Sequence, residues 1–369
     1  MKICRVSRHS LAHPGDISSL KKAIDSGEIE SESIQAVIGK MEGNGGVNDF
    51  TRGYFTQSLF YLLAEYSDKS ADELKVEIPC VLSGGTEGVM SPHYVVFSVE
   101  ECNNITDTNQ SMPSLALGRA MSEPILPQDI GRMPHISICQ KTVEAAISNA
   151  GLTADDVCFV QVKSPAIPAT LANELLAQGL PVCSTASGRI MALSRAASAW
   201  GVGVAMGELK LEELSEAGML NDFSKYSAVA SISSGLEVDR CEVVVLGNSR
   251  AWAGDSHIAA AIMKDALDLS GPFNVLEQLD ISPTPPLSAD DSKRIQAVLV
   301  KCEPARSGKI RGNRHTMLDD TDIDPQRHIR GAIAGMVASV VSDGRIFVSG
   351  GAEHQGPDEG GLLAVIAKK

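Results

Sequence analysis

Three lysines, three arginines and three serines recur along the chain in one fixed order: Lys40, Arg52 and Ser83; Lys163, Arg195 and Ser233; Lys301, Arg330 and Ser349. Each lysine closes an apolar run and each arginine sits in a helical pattern. Each serine opens a small-residue turn that ends in glutamate: VLSGGTE over Val81–Glu87, SISSGLE over Ser231–Glu237 and FVSGGAE over Phe347–Glu353. A serine is a weak nucleophile until a base removes its proton. A lysine becomes that base when burial and neighbouring cations lower its pKa, and a cluster of lysines and arginines supplies both conditions. Arginine forks would hold carbonyl oxygens or an anionic ring, and glycine-flanked N–H groups would stabilise an oxyanion. The set points to Ser–Lys hydrolysis with no required histidine. One copy alone reads as a solvated lysine, a surface arginine and a plain strand-to-turn junction. Recurrence of all three residue types in order favours one shared site.

The elements that must position these residues follow the same order three times. The first third reads as a strand Lys2–Arg8, a helix Ile17–Asp25, a strand Ile34–Lys40, a helix Asp49–Tyr66 carrying Arg52, and strands Val76–Ser83 and Tyr94–Glu100. The polar stretch Cys102–Ser111 has linker composition. The middle third reads as a strand Ser114–Met121, a helix Thr142–Asn149, a strand Val157–Lys163, a helix Met191–Met206 carrying Arg195, and strands Ser227–Ser233 and Cys241–Gly247, with an extra segment at Pro165–Gly188. The last third reads as a helix Ser256–Leu269, a loop through Pro283, Pro285 and Pro286, a strand Ile295–Lys301, a helix Pro325–Val341 carrying Arg330, and strands Ile346–Ser349 and Leu362–Ala367. The expected organisation is three α/β units, 1–103, 112–250 and 255–369, around a pseudo-threefold axis. A strand ending in lysine beside one ending in serine would bring both tips to one sheet edge, and three such edges would meet at the centre.

Composition excludes several classes. The 369 residues exceed one ordinary core. A net charge of −14 opposes nucleic-acid or anionic-membrane binding, which needs a basic face. The eight cysteines (Cys4, Cys80, Cys102, Cys139, Cys158, Cys183, Cys241, Cys302) are dispersed without a CxxC pair, the pattern of reduced thiols in a cytoplasmic protein. No leader-type h-region and no run of membrane-spanning length is present.

Longer motifs carry a resemblance. GKMEGNGGVNDFTRGY (Gly39–Tyr54), SGGTEGVMSPH (Ser83–His93), FVQVKSP (Phe159–Pro165), RHTMLDDTDI (Arg314–Ile323) and FVSGGAEHQGP (Phe347–Pro357) resemble the cyanuric acid hydrolase and barbiturase family of cyclic-amide ring-opening hydrolases. The last two, with SRAASAWG (Ser194–Gly201), look more like the cyanuric acid hydrolases. The resemblance covers nearly the whole length. It implies three interlocked α/β domains with the site at their centre, and opening of the cyanuric acid ring to carboxybiuret, which decarboxylates to biuret. It implies Ser233 as nucleophile and Lys163 as its base. Arg52, Arg195 and Arg330 would bind carbonyl oxygens, helped by the Ser83–Gly84, Ser233–Ser234 and Ser349–Gly350 turns. Lys40 and Lys301 would hold their own serines and stress Lys163 electrostatically. The alternatives are a barbiturase, or a non-catalytic binder of a small planar cyclic imide. A homotetramer is implied as well.

The resemblance also implies a structural divalent metal, magnesium or calcium, at the Glu303 carboxylate and the carbonyl oxygens of Ala352, Gln355, Gly356, Pro357 and Gly360. An all-oxygen set suits those ions better than zinc. No organic cofactor is indicated. Two departures stand out: Ser234 replaces the glycine of the outer turns and adds a hydroxyl beside Ser233, and CSTASGRIMAL (Cys183–Leu193) matches no family segment. His93, His315 and His354 are expected to make structural hydrogen bonds, Trp200 and Trp252 to anchor packing, and the Asp319–Asp322 run to form a solvated, helix-capping loop. Asp49 and Glu42 are candidates to neutralise the central cations.

Overall fold

The computed structural model describes residues 1–102, 112–284 and 286–369. The linker read at Cys102–Ser111 lies outside the described residues from 103 onward, as does Pro285. Strand hydrogen bonding sorts the chain into three α/β units with one wiring. The first unit holds β1 (Lys2–Ser10), α1 (Ser18–Asp25), β2 (Ile34–Met41), α2 (Phe50–Ala64), α3 (Ala71–Lys75), β3 (Cys80–Gly84) and β4 (His93–Glu101). The second holds β5 (Ser114–Met121), α4 (Met133–Ala150), β6 (Val157–Pro165), α5 (Ala169–Ala177), α6 (Ser187–Ala205), β7 (Ala230–Gly235) and β8 (Glu242–Ser249). The short β9 (Trp252–Ala253) precedes the third: β10 (Ser256–Met263), α7 (Ser270–Gln278), α8 (Ala289–Arg294), β11 (Ile295–Lys301), a β12–β13 hairpin (Lys309–Ile310, Asn313–Arg314), α9 (Pro325–Val341), β14 (Phe347–Ser349) and β15 (Gly361–Lys368).

The sheets run β3-β2-β4-β1-β9, β7-β6-β8-β5 and β14-β11-β15-β10. In each, the serine strand lies parallel to the lysine strand, and the unit's last strand pairs antiparallel with both the lysine strand and the unit's first strand. Each lysine strand also opens with an irregularity at the same place, between Ile34 and Ala36, Val157 and Phe159, and Ile295 and Ala297.

Strand periodicity decides which way the lysines face. In β11, Ala297 and Leu299 join a core cluster drawn from all three sheets, while Val298 and Val300 pack under the third unit's helices. Alternate residues share a face, so Lys301 continues the inward set. In β2, Ala36 and Ile38 join the shared cluster and Val37 packs under α2, which aims Lys40 inward likewise. The helices cover the outer faces and start where the sequence caps them: Asp49 accepts from Thr51 N at 3.0 Å, and Asp324 accepts from Gln326 N at 2.9 Å ahead of Pro325.

Several sequence expectations shift. Residues 256–269 do not form the expected helix; Ser256–Met263 is a strand, β10, paired antiparallel with β15, and the helix begins at Ser270. The Ala-rich stretch favours a helix locally, but it occupies the first-strand place that β1 and β5 fill, and sheet pairing overrides propensity. The strand expected at Val76–Ser83 begins at Cys80, because the Ser70-capped α3 runs to Lys75 and Pro79 follows. The strand expected from Ser227 begins at Ala230. The helix read at Thr142–Asn149 is the C-terminal part of Met133–Ala150, closed by Gly151 at φ 66°.

The units are tied through polar groups as well as the core. Arg8 reaches Asp343 at 2.8 Å, and Ile232 N donates to Gln355 Oε1 at 2.6 Å. Glu242 of β8 accepts the β3 backbone N–H of Cys80 at 3.0 Å, and burial pushes its carboxyl up to about 7. A carboxyl raised on folding stabilises fully below its unfolded pKa, and that contribution is lost as pH rises through about 7. Glu242→Gln keeps the acceptor and removes the charge. It should match wild type near pH 5 and exceed it above pH 8 by roughly 1–3 kcal/mol, read as unfolding midpoints across pH.

Candidate active site

The parallel ladders set each lysine beside its own serine: Lys40 pairs with Ser83, Lys163 with Ser233 and Lys301 with Ser349. The three lysines are wholly buried, and Ser83, Ser233 and Ser349 are 8%, 6% and 3% exposed. Lys40 Nζ donates to Ser83 Oγ at 3.3 Å and Gly84 O at 3.0 Å. Lys301 Nζ donates to Ser349 Oγ at 3.0 Å, Gly350 O at 2.9 Å and Ile232 O at 2.5 Å. Lys163 differs. Its Nζ donates to Leu82 O at 3.0 Å and lies 2.5 Å from Glu237 Oε1, while Ser233 Oγ sits 3.5 Å from Ser349 Oγ. Lysines of the second and third units thus reach the residue preceding the serine of the unit before, which closes the three sheet edges around one centre.

The arginines complete that closure through residues whose role the sequence reading did not assign. Arg330 forks onto Glu87 at 2.9 and 2.6 Å, and Arg195 forks onto Glu353 at 2.8 and 2.7 Å. Arg52 Nε lies 2.8 Å from Glu237, while its Nη2 donates to Gly46 O at 3.0 Å. Each arginine therefore meets the glutamate ending the serine turn of the next unit, first to second, second to third and third to first. The signal was visible: the same glutamate ends all three turns. Glycine is required beneath two of the forks. Gly85 and Gly351 have φ of 90° and 68°, and a Cβ on Gly351 would lie 2.5 Å from Arg195 Nε. Ser234 is committed to this frame, accepting from Arg195 Nη1 at 3.1 Å and donating to Met191 O at 3.2 Å. That leaves Ser233 as the hydroxyl of the pair beside Lys163.

Burial dominates the titration of the centre. Lys40 is driven well below the ordinary lysine range by burial and then by the Arg330 charge, and burial with Arg195 brings Lys301 to about 7. Burial and Arg52 lower Lys163, against the pull of Glu237. Burial alone would raise Glu87, Glu237 and Glu353, but the facing guanidiniums and lysines outweigh it and hold all three below the usual glutamate value. The site can thus offer a neutral amine beside a serine, with cationic forks arranged around it.

The remaining candidates divide. His93 bonds Ser91 O at 2.8 Å, and burial lowers it to about 4. His354 bonds Lys225 O at 2.7 Å, accepts from Leu220 N at 3.0 Å and lies against Trp200 and Phe223; His315 bonds Ala305 O at 3.1 Å. The indoles of Trp200 and Trp252 donate to Lys225 O and Ala150 O. Asp320 accepts from the N–H groups of Asp322 and Ile323. Asp49 caps α2 and lies 3.9 Å from Arg52, whereas Glu42 is exposed and takes no part in the centre. His135, absent from the sequence reading, is buried among Ser164, Ser198 and Cys241 behind Lys163.

Among the described residues, no group of three or more His, Cys, Asp or Glu side chains is arranged for a metal. The all-oxygen set read from the sequence has one carboxylate, Glu303, which burial and Glu353 push up to about 8, so a cation beside it is favourable. Arg306 supplies that positive charge here, pairing with Glu303 and, at 2.5 Å, with Asp358. The carbonyls of Ala352 and Pro357 accept from Gln355 N and Gly360 N in two successive tight turns, each keeping a second lone pair. The donor chemistry fits a hard cation once the guanidinium moves aside.

Comparison with known proteins places this geometry. A family model described as an amidohydrolase ring-opening protein matches residues 5–368. The cyanuric acid amidohydrolase of Azorhizobium caulinodans is 44% identical over 370 residues, covering 100% of this chain and 99% of that protein. Barbiturase 1 of a Nocardioides strain is 38% identical, covering 99% of this chain and 98% of its own. A solved cyanuric acid hydrolase, described as evolutionary innovation by structural concatenation, superimposes with a TM-score of 0.95 at 38% identity and full coverage of both chains.

The fork between Arg195 and Glu353 should behave as a buried pair. Arg195→Met leaves Glu353 without its counter-charge and should cost roughly 3–5 kcal/mol. Adding Glu353→Met should recover much of that loss. A denaturant double-mutant cycle reads the coupling; additive effects would deny it.

Proposed function

The chain belongs to the ring-opening amidohydrolase family, and from that premise we propose that it hydrolyses one ring C–N bond of cyanuric acid to carboxybiuret, which loses carbon dioxide to give biuret. The observation that carries this reading is the three in-register Lys–Ser pairs ringed by three arginines. A planar ring with three carbonyls alternating with three N–H groups has the same repeat, and would meet one arginine and one serine turn from each unit. Ser233 attacks a carbonyl carbon, and its proton passes to the neutral amine of Lys163. The oxyanion is met by backbone N–H groups of the glycine-flanked turns and by a guanidinium. The ring C–N bond breaks as Lys163 returns the proton to the leaving nitrogen, and water releases the acyl group by the same route in reverse roles.

Arg52, Arg195 and Arg330 bind ring carbonyls, with Ser83, Gly84, Ser349 and Gly350 holding the edges of the ring that do not react. Lys40 and Lys301 donate to their own serines, which fits holding rather than attack. Engagement of the Ser234 hydroxyl with Arg195 and Met191 O supports Ser233 as the nucleophile. Glu303 and the carbonyls of Ala352, Gln355, Gly356, Pro357 and Gly360 would hold a magnesium or calcium ion that braces the third unit's serine turn. The eight free cysteines support a protein of the reducing cytoplasm, and the family reading extends to an assembly of four copies, measurable by light scattering.

Purified protein should release biuret and carbon dioxide from cyanuric acid. Turnover of barbituric acid instead would move the assignment to barbiturase, and ligand-induced stabilisation without product would make the protein a binder. Ser233→Ala and Lys163→Ala should each lower kcat by roughly 10³-fold or more while leaving the far-ultraviolet spectrum unchanged; substantial activity in either would sink the dyad. Chelator should lower the Tm of wild type and leave that of Glu303→Gln unmoved.

A further inference from the structure

The three Lys–Ser pairs are nearly equivalent, yet chemistry at a threefold ring needs one of them to act as a base and the other two to hold. We infer that Glu237 makes this choice: it takes the proton from Lys163 and passes it to the solvent cleft, so that among the described residues Lys163 alone of the three lysines has a carboxylate exit for its proton. The inference deepens the Ser233–Lys163 reading of the same site and rests on it.

The first observation is contact. Among the described residues, Lys163 is the only one of the three lysines with a carboxylate within ion-pair distance, Glu237 Oε1 at 2.5 Å. The matching glutamates, Glu87 and Glu353, give both oxygens to their arginines instead. Arg52 approaches Glu237 at 2.8 Å without hydrogen-bond alignment, so its Nε does not bind Oε1 as the other two arginines bind their glutamates, and Lys163 Nζ is the nearer contact there. The carboxylate therefore keeps a lone pair beside a buried ammonium. In a low-dielectric interior an ion pair and its neutral counterpart lie close in energy, so a short proton transfer replaces release of a proton through the core. Lys301, by contrast, spends its donors on Ile232 O, Ser349 Oγ and Gly350 O.

The second observation is access. Glu237 lines a cleft of about 420 Å³ with Gly53, Thr56, Tyr61, Ser70 and Lys75 between α2 and α3. It also lines a neighbouring cleft with Asp72, Lys75 and Glu242. Lys163 is wholly buried, while the Glu237 side chain is 16% exposed. Hydrolysis needs such an exit. Each turnover consumes one water and breaks one C–N bond; the proton taken from Ser233 goes to the leaving nitrogen, and water restores the serine. The carbamic acid so formed then ionises and leaves one proton in the site. That proton moves from Lys163 to Glu237 and out through the cleft, which returns the amine to its neutral form. The titratable and charged groups facing the pair are Arg52 from α2, with Glu242 from β8 and the neutral Cys80 thiol from β3.

Glu237→Gln keeps the shape and removes the charge and the proton-accepting carboxylate. In a cyanuric acid assay its kcat should fall roughly 10–100-fold. The acidic limb of kcat/KM should move to lower pH, because the charge that favours the Lys163 ammonium is gone. Glu87→Gln, which loosens Arg330 and does not touch Lys163, should raise KM and leave that limb in place. Glu237→Asp keeps the charge but withdraws it, so its limb should stay while kcat falls roughly 10-fold; it also serves if the Gln variant does not fold. Wild-type kcat in Glu237→Asp, or a Glu237→Gln profile that matches Glu87→Gln, would overturn the role of Glu237 alone. A wild type without turnover would remove the functional reading and this one with it.

Discussion

Burial of three lysine amines at one point is the constraint on which the structure turns. A lone buried lysine costs several kcal/mol or deprotonates, and here three lie wholly inside, each with an arginine nearby. Three lysines and three arginines gather there, and three glutamates face them. The sheets make this arrangement unavoidable, since the parallel pairing of a lysine strand with a serine strand fixes both side chains on the same inward face. What the pairing does not fix is where the counter-charge comes from. Each glutamate meets the arginine of a neighbouring unit, so no arginine finds its glutamate within its own unit.

This cyclic arrangement explains why the three units behave as one body. An isolated unit would expose its inward face and leave its arginine without the glutamate it meets in the whole chain. The shared core, drawn from β-strands of all three sheets, adds the apolar counterpart of the same dependence. The arginines also show how far the copies have diverged. Arg52 lies in the first turn of its helix and Arg330 in the second, whereas Arg195 lies in the middle of α6, which extends further back through Ser187. The forks still arrive at equivalent places because the helix axis, rather than its end, is what packs on the sheet.

Near-symmetry serves a threefold ligand for holding and is a difficulty for reaction, where one bond must break. The copies differ at two places that matter. Ser234 inserts a hydroxyl that Arg195 binds, and Glu237 divides its attention between an arginine and a lysine where the other two glutamates do not. Both departures sit in the second unit, and they distinguish its serine and lysine without disturbing the frame.

The sequence by itself determined the repeat, the nine polar residues, the strand ends that carry six of them and the family. Those follow from local order: apolar runs, small-residue turns and caps are all properties of neighbours along the chain. It also contained the three glutamates, but their meaning depended on contacts between turns and helices more than 150 residues apart, such as Arg195 with Glu353. The same limit explains the error at Ser256–Met263, where alanine-rich composition favours a helix and only the vacant edge beside β15 makes it a strand. Tertiary structure alone decided the pairing of charges, because burial and Coulomb energy depend on distance through space, and the order of residues does not record it.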